Sequence, residues 1–287
     1  MNRSLTSALL AITLTLGCGG AAVAQAPNRT KAEVLKSSMA AYAAIQRRDY
    51  ATALTILREL AAQGDVWAQS SLGKLYYIGQ GVPQDYKEAA RLFGLAAAQG
   101  DADAQSNLGL IYRNGQGVAQ DYNEAVRLFG LSAAQGDASA QFNLGIMYSN
   151  GQGVPQDYKE AARLYRLAAE QGHAKAQSNV GVMYASGQGV AQDYKEAARL
   201  YRLAAEQGHA KAQGNLGIMY ESGRGVAQDY VRAHMWYNLG ASSFSGEEGK
   251  TATSNRDNIA ERMTPSQIER AQDMARKCQA SNFKKCD

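Results

Sequence analysis

Residues 137–172 read DASAQFNLGIMYSNGQGVPQDYKEAARLYRLAAEQG, and this stretch decides the fold. From Ala138 to Asn150 the pattern is helical, with Ala140, Leu144, Gly145 and Tyr148 on one side. Gly151-Gln152-Gly153 ends that helix, because glycine readily takes the left-handed cap conformation. Val154-Pro155-Gln156 makes a tight connection. Asp157 is a good N-cap, and Glu160 three residues later makes a capping-box pattern. The second helix is predicted to run to about Gln171 and to stop at Gly172. Small residues at Ala161, Ala162, Ala168 and Ala169 let neighbouring helices approach closely. No segment alternates with period two, so no strand is predicted.

The same unit recurs on both sides. Gly64, Gly100, Gly136, Gly172 and Gly208 are spaced by 36 residues, as are Gly73, Gly109, Gly145, Gly181 and Gly217. Tyr76, Tyr112, Tyr148, Tyr184 and Tyr220 keep the same spacing, and so do the Asp-Tyr pairs starting at Asp85, Asp121, Asp157, Asp193 and Asp229. One helical hairpin cannot bury its apolar side, whereas stacked copies can. The predicted fold is therefore all-α: a right-handed α/α superhelical solenoid of 36-residue helix-turn-helix repeats, with a concave and a convex surface. The ends depart from the pattern as capping helices should. Lys31 to Gln46 is helical but lacks the Leu-Gly signature, and Arg47-Arg48 stands where later units carry Gly-x-Gly. Ser242 to Gly249 reads as a loop, Lys250 to Met263 as a helix, and Thr264-Pro265-Ser266-Gln267 as the capped start of a last helix reaching about Ala280. The expected organisation is residues 1–24 as a signal peptide, 25–64 as an N-terminal capping pair, 65–244 as five repeats and 245–287 as C-terminal capping helices with a clipped tail.

Export is read from the first 25 residues. Arg3 precedes a charge-free run from Leu5 to Leu16, and Ala22-Val23-Ala24 offers cleavage before Gln25. The run is too short to span a bilayer, and no later apolar stretch approaches that length, so the processed chain is expected to be soluble and periplasmic or secreted. A rival reading retains Cys18 as a lipid anchor, although Thr15 stands where such signals usually carry Leu. Cys278 and Cys286 then remain, and in an oxidising compartment such a pair reads as a disulfide rather than a metal site. A bridge would stabilise the end by about 2 kcal/mol; the alternative is two free thiols on a frayed end. The formal charge of +4 leaves no basic footprint for nucleic acid.

The repeat resembles the Sel-one-like repeat family, a relative of the tetratricopeptide repeats. The residues that carry the resemblance are Ala-Gln-x-Asn-Leu-Gly-x-Met-Tyr at Ala140 to Tyr148, Gly-Gln-Gly-Val-x-Gln-Asp-Tyr, and Ala-Ala-Arg-Leu-Tyr-x-Leu-Ala-Ala-x-Gln-Gly, together with Ala233-His-Met-Trp-Tyr and Met263-Thr-Pro-Ser-Gln. What the resemblance implies is an adaptor or regulator that assembles other proteins. Some relatives carry a cysteine pair in every repeat; this chain does not.

Stacking positions should repeat, while partner-facing positions are free to vary. In the first helix of each unit the third, sixth, tenth and thirteenth columns vary most, and at 100° per residue they fall in a sector of about 80°. In tetratricopeptide-like solenoids the corresponding positions line the concave groove. The stripe begins with Trp67, Ser70, Lys74 and Tyr77, continues through Asp103, Ser106, Leu110 and Arg113, and then Ser139, Phe142, Ile146 and Ser149. It ends with Lys175, Ser178, Val182 and Ala185, then Lys211, Gly214, Ile218 and Glu221. Leu110, Ile146, Val182 and Ile218 form an apolar row that suits a bound peptide or helix. The competing reading covers that row with the neighbouring first helix. Trp67, Tyr77 and Phe142 stand out as large aromatics in small or polar columns, although Trp67 can instead pack on the N-terminal cap.

Catalytic patterns fail on inspection. Ser71-x-x-Lys74 and Ser281-x-x-Lys284 lack the companion motifs of penicillin-recognising enzymes. The Gly-Gln-Gly loops follow helices and recur as punctuation, so they are not phosphate loops. His173 and His209 lie one repeat apart, too far to share a metal at helix spacings of about 10 Å. The expectation is an exported, non-enzymatic scaffold holding a protein or peptide, without cofactor or metal. The alternative is a cell-wall protein that binds or hydrolyses peptidoglycan or a β-lactam.

Overall fold

The computed structural model describes residues 30–243, 247–284 and 286. The expected leader, its cleavage site and Cys18 lie outside the described residues. All regular structure among the described residues is helical. The N-terminal pair is α1 (Lys31–Gln46) and α2 (Tyr50–Ala62). Five first-and-second helix pairs follow: α3 (Val66–Ile78) and α4 (Tyr86–Ala98), α5 (Ala102–Asn114) and α6 (Tyr122–Ala134), α7 (Ala138–Asn150) and α8 (Tyr158–Glu170), α9 (Ala174–Ser186) and α10 (Tyr194–Ala205), α11 (Ala210–Ser222) and α12 (Tyr230–Ser243). The chain closes with α13 (Glu247–Ala260) and α14 (Pro265–Ala280). From α1 to α12 each helix packs against its neighbours in sequence, and α12 carries both α13 and α14, so the molecule is an all-α repeat solenoid.

The recurring glycines set the helix spacing. A Cβ on Gly145 would lie 2.7 Å from the Tyr165 ring, and the same collision meets Phe93, Phe129, Tyr201 and Tyr237 in the other repeats. Gly therefore lets the first helix rest on the aromatic ring of the second. Gly153 combines φ of +71° with a Cβ position 2.5 Å from the Tyr122 carbonyl oxygen, so its loop sits flush on the preceding second helix.

A glutamine ladder ties repeat to repeat. The amide Nε2 of Gln99, Gln135, Gln171 and Gln207 donates to Oε1 of Gln69, Gln105, Gln141 and Gln177 at 2.8–2.9 Å. The receiving glutamines are buried, and their own Nε2 groups donate to backbone carbonyls, for example Gln105 to Ala97. Gln213 is the last rung; its Oε1 is buried with no partner among the described residues, and the position thirty residues on is Ser243 rather than Gln.

Two local expectations need correction. The loop read at Ser242–Gly249 is shorter, because α12 continues to Ser243 and α13 starts at Glu247. The reciprocal capping box at Asp157 and Glu160 does not form. Asp157 Oδ1 accepts from the backbone N–H of Lys159 and Glu160, but the Glu160 carboxylate turns to Arg163 in a two-pronged ion pair at 2.8 and 2.6 Å. A guanidinium offers two charge-assisted bonds where the N-cap N–H offers one. Complete capping boxes occur at Thr30 with Glu33 and at Thr264 with Gln267.

Candidate interaction face

The variable stripe lies on one face of the first helices, but its columns behave differently. In the sixth column Ser70, Ser106 and Ser178 are buried while Phe142 and Gly214 are half-buried, and Ser70 donates to Asp101 Oδ1 of the next repeat. The tenth column is open. Val182 and Ile218 are 44% and 46% exposed, which excludes cover by the neighbouring helix at that end, while Leu110 and Ile146 are half-buried. Lys175 and Lys211 are exposed beside them.

Several stripe residues are engaged within the solenoid. Lys74 and Asp103 form an ion pair at 2.8 Å across adjacent repeats. The Tyr77 ring meets Tyr86 edge-on at 5.3 Å, and its hydroxyl donates to Gln116. Arg113 donates from Nη1 to the buried Asn143 Oδ1 at 2.7 Å, and burial pulls its guanidinium below the usual arginine value. Phe142 stacks on His173 at 4.7 Å and leans on Tyr165 at 5.7 Å. Tyr77 and Phe142 therefore bridge repeats and present only part of each ring. Glu221 accepts from the Tyr237 hydroxyl at 2.6 Å and faces Arg262 at 3.8 Å. It clamps the C-terminal helix pair rather than lining an open face.

The histidines serve structure. His173 and His209 are N-caps whose Nδ1 accepts from the N–H of Ala176 and Ala212, the role Asp65, Asp101 and Asp137 play earlier. His234 is buried in α12, and burial lowers its pKa. Among the described residues no group of three or more His, Cys, Asp or Glu side chains is placed to hold a metal, and no helix is long and apolar enough to cross a membrane.

One apolar feature escaped the column analysis. Leu35, Met39 and Tyr42 on α1 are 62%, 65% and 57% exposed. With Trp67 they line a cleft of about 760 Å³ between α1 and the start of α3. Their spacing of four and three residues is a helical stripe visible in the sequence, but α1 lies outside the repeats that were compared. Trp67 also packs against the core shared by α2 and α3.

The Sel1 repeat profile matches residues 68–101, 102–137, 138–173, 174–209 and 210–243, one match for each of the five helix pairs just described. The chain belongs to the Sel1 repeat family. A Sel1 repeat protein from Oxalobacter formigenes superposes with a TM-score of 0.72 at 32% identity, covering 83% of this chain and 96% of that one. A protective antigen of uropathogenic Escherichia coli displaying the same fold gives a TM-score of 0.59 at 28% identity, covering 87% of this chain and 62% of that one. No curated protein matches. The Sel1 assignment accounts for the recurring columns; the α1 stripe, the C-terminal helices and the tail lie outside the matched repeats.

Proposed function

We propose that this Sel1 repeat chain is an exported scaffold that holds a peptide or helix of another protein along the first-helix face. Sel1 repeats generally mediate protein–protein contact, which supports a protein partner. The observation that carries the reading is the tenth column: Val182 and Ile218 keep nearly half their surface in water while their neighbours in the helices are buried. Aliphatic side chains recurring in four of the five repeats, flanked by Lys175 and Lys211, suit an apolar ligand surface with acidic flanks. Export is supported by the apolar leader before Ala24 and by a bridge between Cys278 and Cys286, whose Cα atoms lie 4.4 Å apart.

The test is crosslinking and co-purification from the envelope fraction, wild type beside Val182→Glu/Ile218→Glu/Lys175→Glu. These side chains are exposed, so circular dichroism should be unchanged. A partner captured by wild type and lost with the folded variant is the expected result. Equal capture by both removes the first-helix face from consideration. The mass of the processed N-terminus checks cleavage before Gln25 against acylation at Cys18.

A further inference from the structure

A cleft between successive second helices recurs with the repeat. Between α8 and α10 it measures about 300 Å³, and Arg166, Gly172, Val180, Tyr184, Glu196 and Leu203 are among the residues that line it. Between α2 and α4 it measures about 600 Å³ and is lined at the same positions three repeats earlier, by Arg58, Gly64, Leu72, Tyr76, Glu88 and Leu95. Each lining includes a glycine with positive φ, +84° at Gly172 and +87° at Gly64, and a Cβ on either would meet nothing within 4 Å. On the wall of each cleft a leucine is left open, Leu203 at 37% and Leu95 at 42% exposure.

The last position in this series, between α10 and α12, is occupied by the chain itself. Its glycine is Gly208, and a Cβ there would lie 3.2 Å from the Phe283 ring. Phe283 packs on the core cluster that holds Ala205, Leu216, Trp236 and Leu239. In that cluster Leu239, the counterpart of Leu203 and Leu95, is fully buried. The ring is held in place against backbone strain. Asn282 and Phe283 both take left-handed φ, +54° and +63°, which L residues rarely adopt. The Phe283 N–H donates to the Cys278 carbonyl at 2.9 Å, and the bridge from Cys278 to Cys286 closes the loop.

We propose that the α2/α4 and α8/α10 clefts are seats for an aromatic side chain of a partner protein, presented on a tight loop as Phe283 is. Both clefts are in register with the occupied one, so the molecule itself shows the kind of group that fills them. A bare glycine between aliphatic walls suits a flat ring. Around the α8/α10 cleft Arg166 and Arg199 stand against Glu170 and Glu196, so the charges balance and favour an uncharged group. Arg58 and Arg166, one in each lining, supply a guanidinium of the kind that stacks on aromatic faces. The chain's own tail does not serve these clefts, because it is clipped to α14 with its ring at Gly208. The surface is separate from the first-helix face: no tenth-column residue lines either cleft.

The probe is the disulfide-closed peptide Cys-Gln-Ala-Ser-Asn-Phe-Lys-Lys-Cys, the sequence of residues 278–286. Its bridge pre-organises the loop and so lowers the ordering cost of binding. It is titrated against the purified chain with the chain's own bridge intact, and binding is followed by fluorescence anisotropy. Saturable binding is expected, weakened about tenfold or more by alanine in place of the peptide's Phe. Leu95→Glu with Leu203→Glu, exposed positions at which circular dichroism should be unchanged, should weaken it by a similar factor. Val182→Glu with Ile218→Glu should leave it as in wild type. Absence of saturable binding overturns the proposal, as does equal binding of the alanine peptide or indifference to the Leu95 and Leu203 changes. Loss through the Val182 and Ile218 changes alone also overturns it and moves the peptide to the first-helix face. Binding that appears only after the chain's own bridge is reduced overturns it too, since the peptide then replaces the tail at Gly208.

Discussion

Gly145 and Gly130 both lie inside helices, yet an added methyl meets opposite surroundings. On Gly145 it would sit 2.7 Å from two ring carbons of Tyr165, which is buried and held by Phe142; on Gly130 it meets nothing within 4 Å. Alanine is the better helix former by about 1 kcal/mol, but overpacking a rigid ring costs about 1–3 kcal/mol. Gly145→Ala is therefore expected to lower the denaturation midpoint and Gly130→Ala to raise it, a sign difference read directly from urea melts. The sequence made the Gly145 column visible as a recurrence but could not say why glycine recurs, since its partner ring lies twenty residues away. His173 gives a second test. Burial and then Lys175 lower its pKa, so the neutral form is favoured in the fold, where its Nδ1 accepts from Ala176. A depressed histidine contributes stability that is full above the unfolded value near 6.5 and is lost as pH falls toward the folded value. His234, lowered mainly by burial and then by Arg256 on α13, with Asp257 opposing, acts in the same direction. The melting temperature should fall between about pH 7.5 and about pH 5.5. His173→Asp, which supplies the cap found at Asp137, should make that fall smaller; an unchanged pH dependence would remove His173 as a contributor.

Elements are joined here by contacts that single-helix patterns do not reveal. Gln135 is exposed, yet it satisfies the buried Gln105 Oε1 one repeat back. Removing it leaves that oxygen without a partner, so Gln135→Ala should cost about 1–3 kcal/mol, far more than an ordinary surface change. The same substitution at Gln188, in an exposed loop position outside the ladder, is the control and should be near neutral. The bridge from Cys278 to Cys286 folds the tail back, and Phe283 lies against Gly208 at the end of α10. Replacing both cysteines with serine should release that contact, cost about 2 kcal/mol, and show as faster amide exchange confined to α14. The helices and their caps were legible because propensity, capping and glycine punctuation all act within a few residues. The side chains that the solenoid itself occupies were not. Ser70 reads as surface from its variability, but it is buried and its hydroxyl donates to the Asp101 cap of the next repeat. Glu221 reads as groove rim, but Tyr237 and Arg262 claim it, and the latter belongs to a helix pair the repeat comparison never reaches. Variation within an array marks freedom from stacking only where the neighbours on every side are also repeats.

At the scale of the whole molecule, stability is expected to be close to a sum of repeats and nearest-neighbour interfaces, because α1 to α12 pack in sequence order. Two deletions separate what is modular from what is not. Removing residues 138–173 takes out one unit and joins Asp137 to Ala174, so the N-cap position of α9 passes from His173 to an aspartate that already performs that role. The glutamine register is kept, since Gln135 and Gln177 then stand in the relation that Gln135 and Gln141 have now. The shortened chain should fold, with the denaturant slope reduced in proportion to the residues removed. Ending the chain at residue 243 removes a similar length but uncovers Met235, Trp236 and Leu239, which α13 and α14 help to bury. No further repeat follows to cover them, so this chain should aggregate or lose cooperative unfolding. Size-exclusion chromatography and urea titration of the two products decide the matter: equal tolerance would mean that the last helix pair is an appendage, whereas failure of the second alone makes it the seal from which the array is closed.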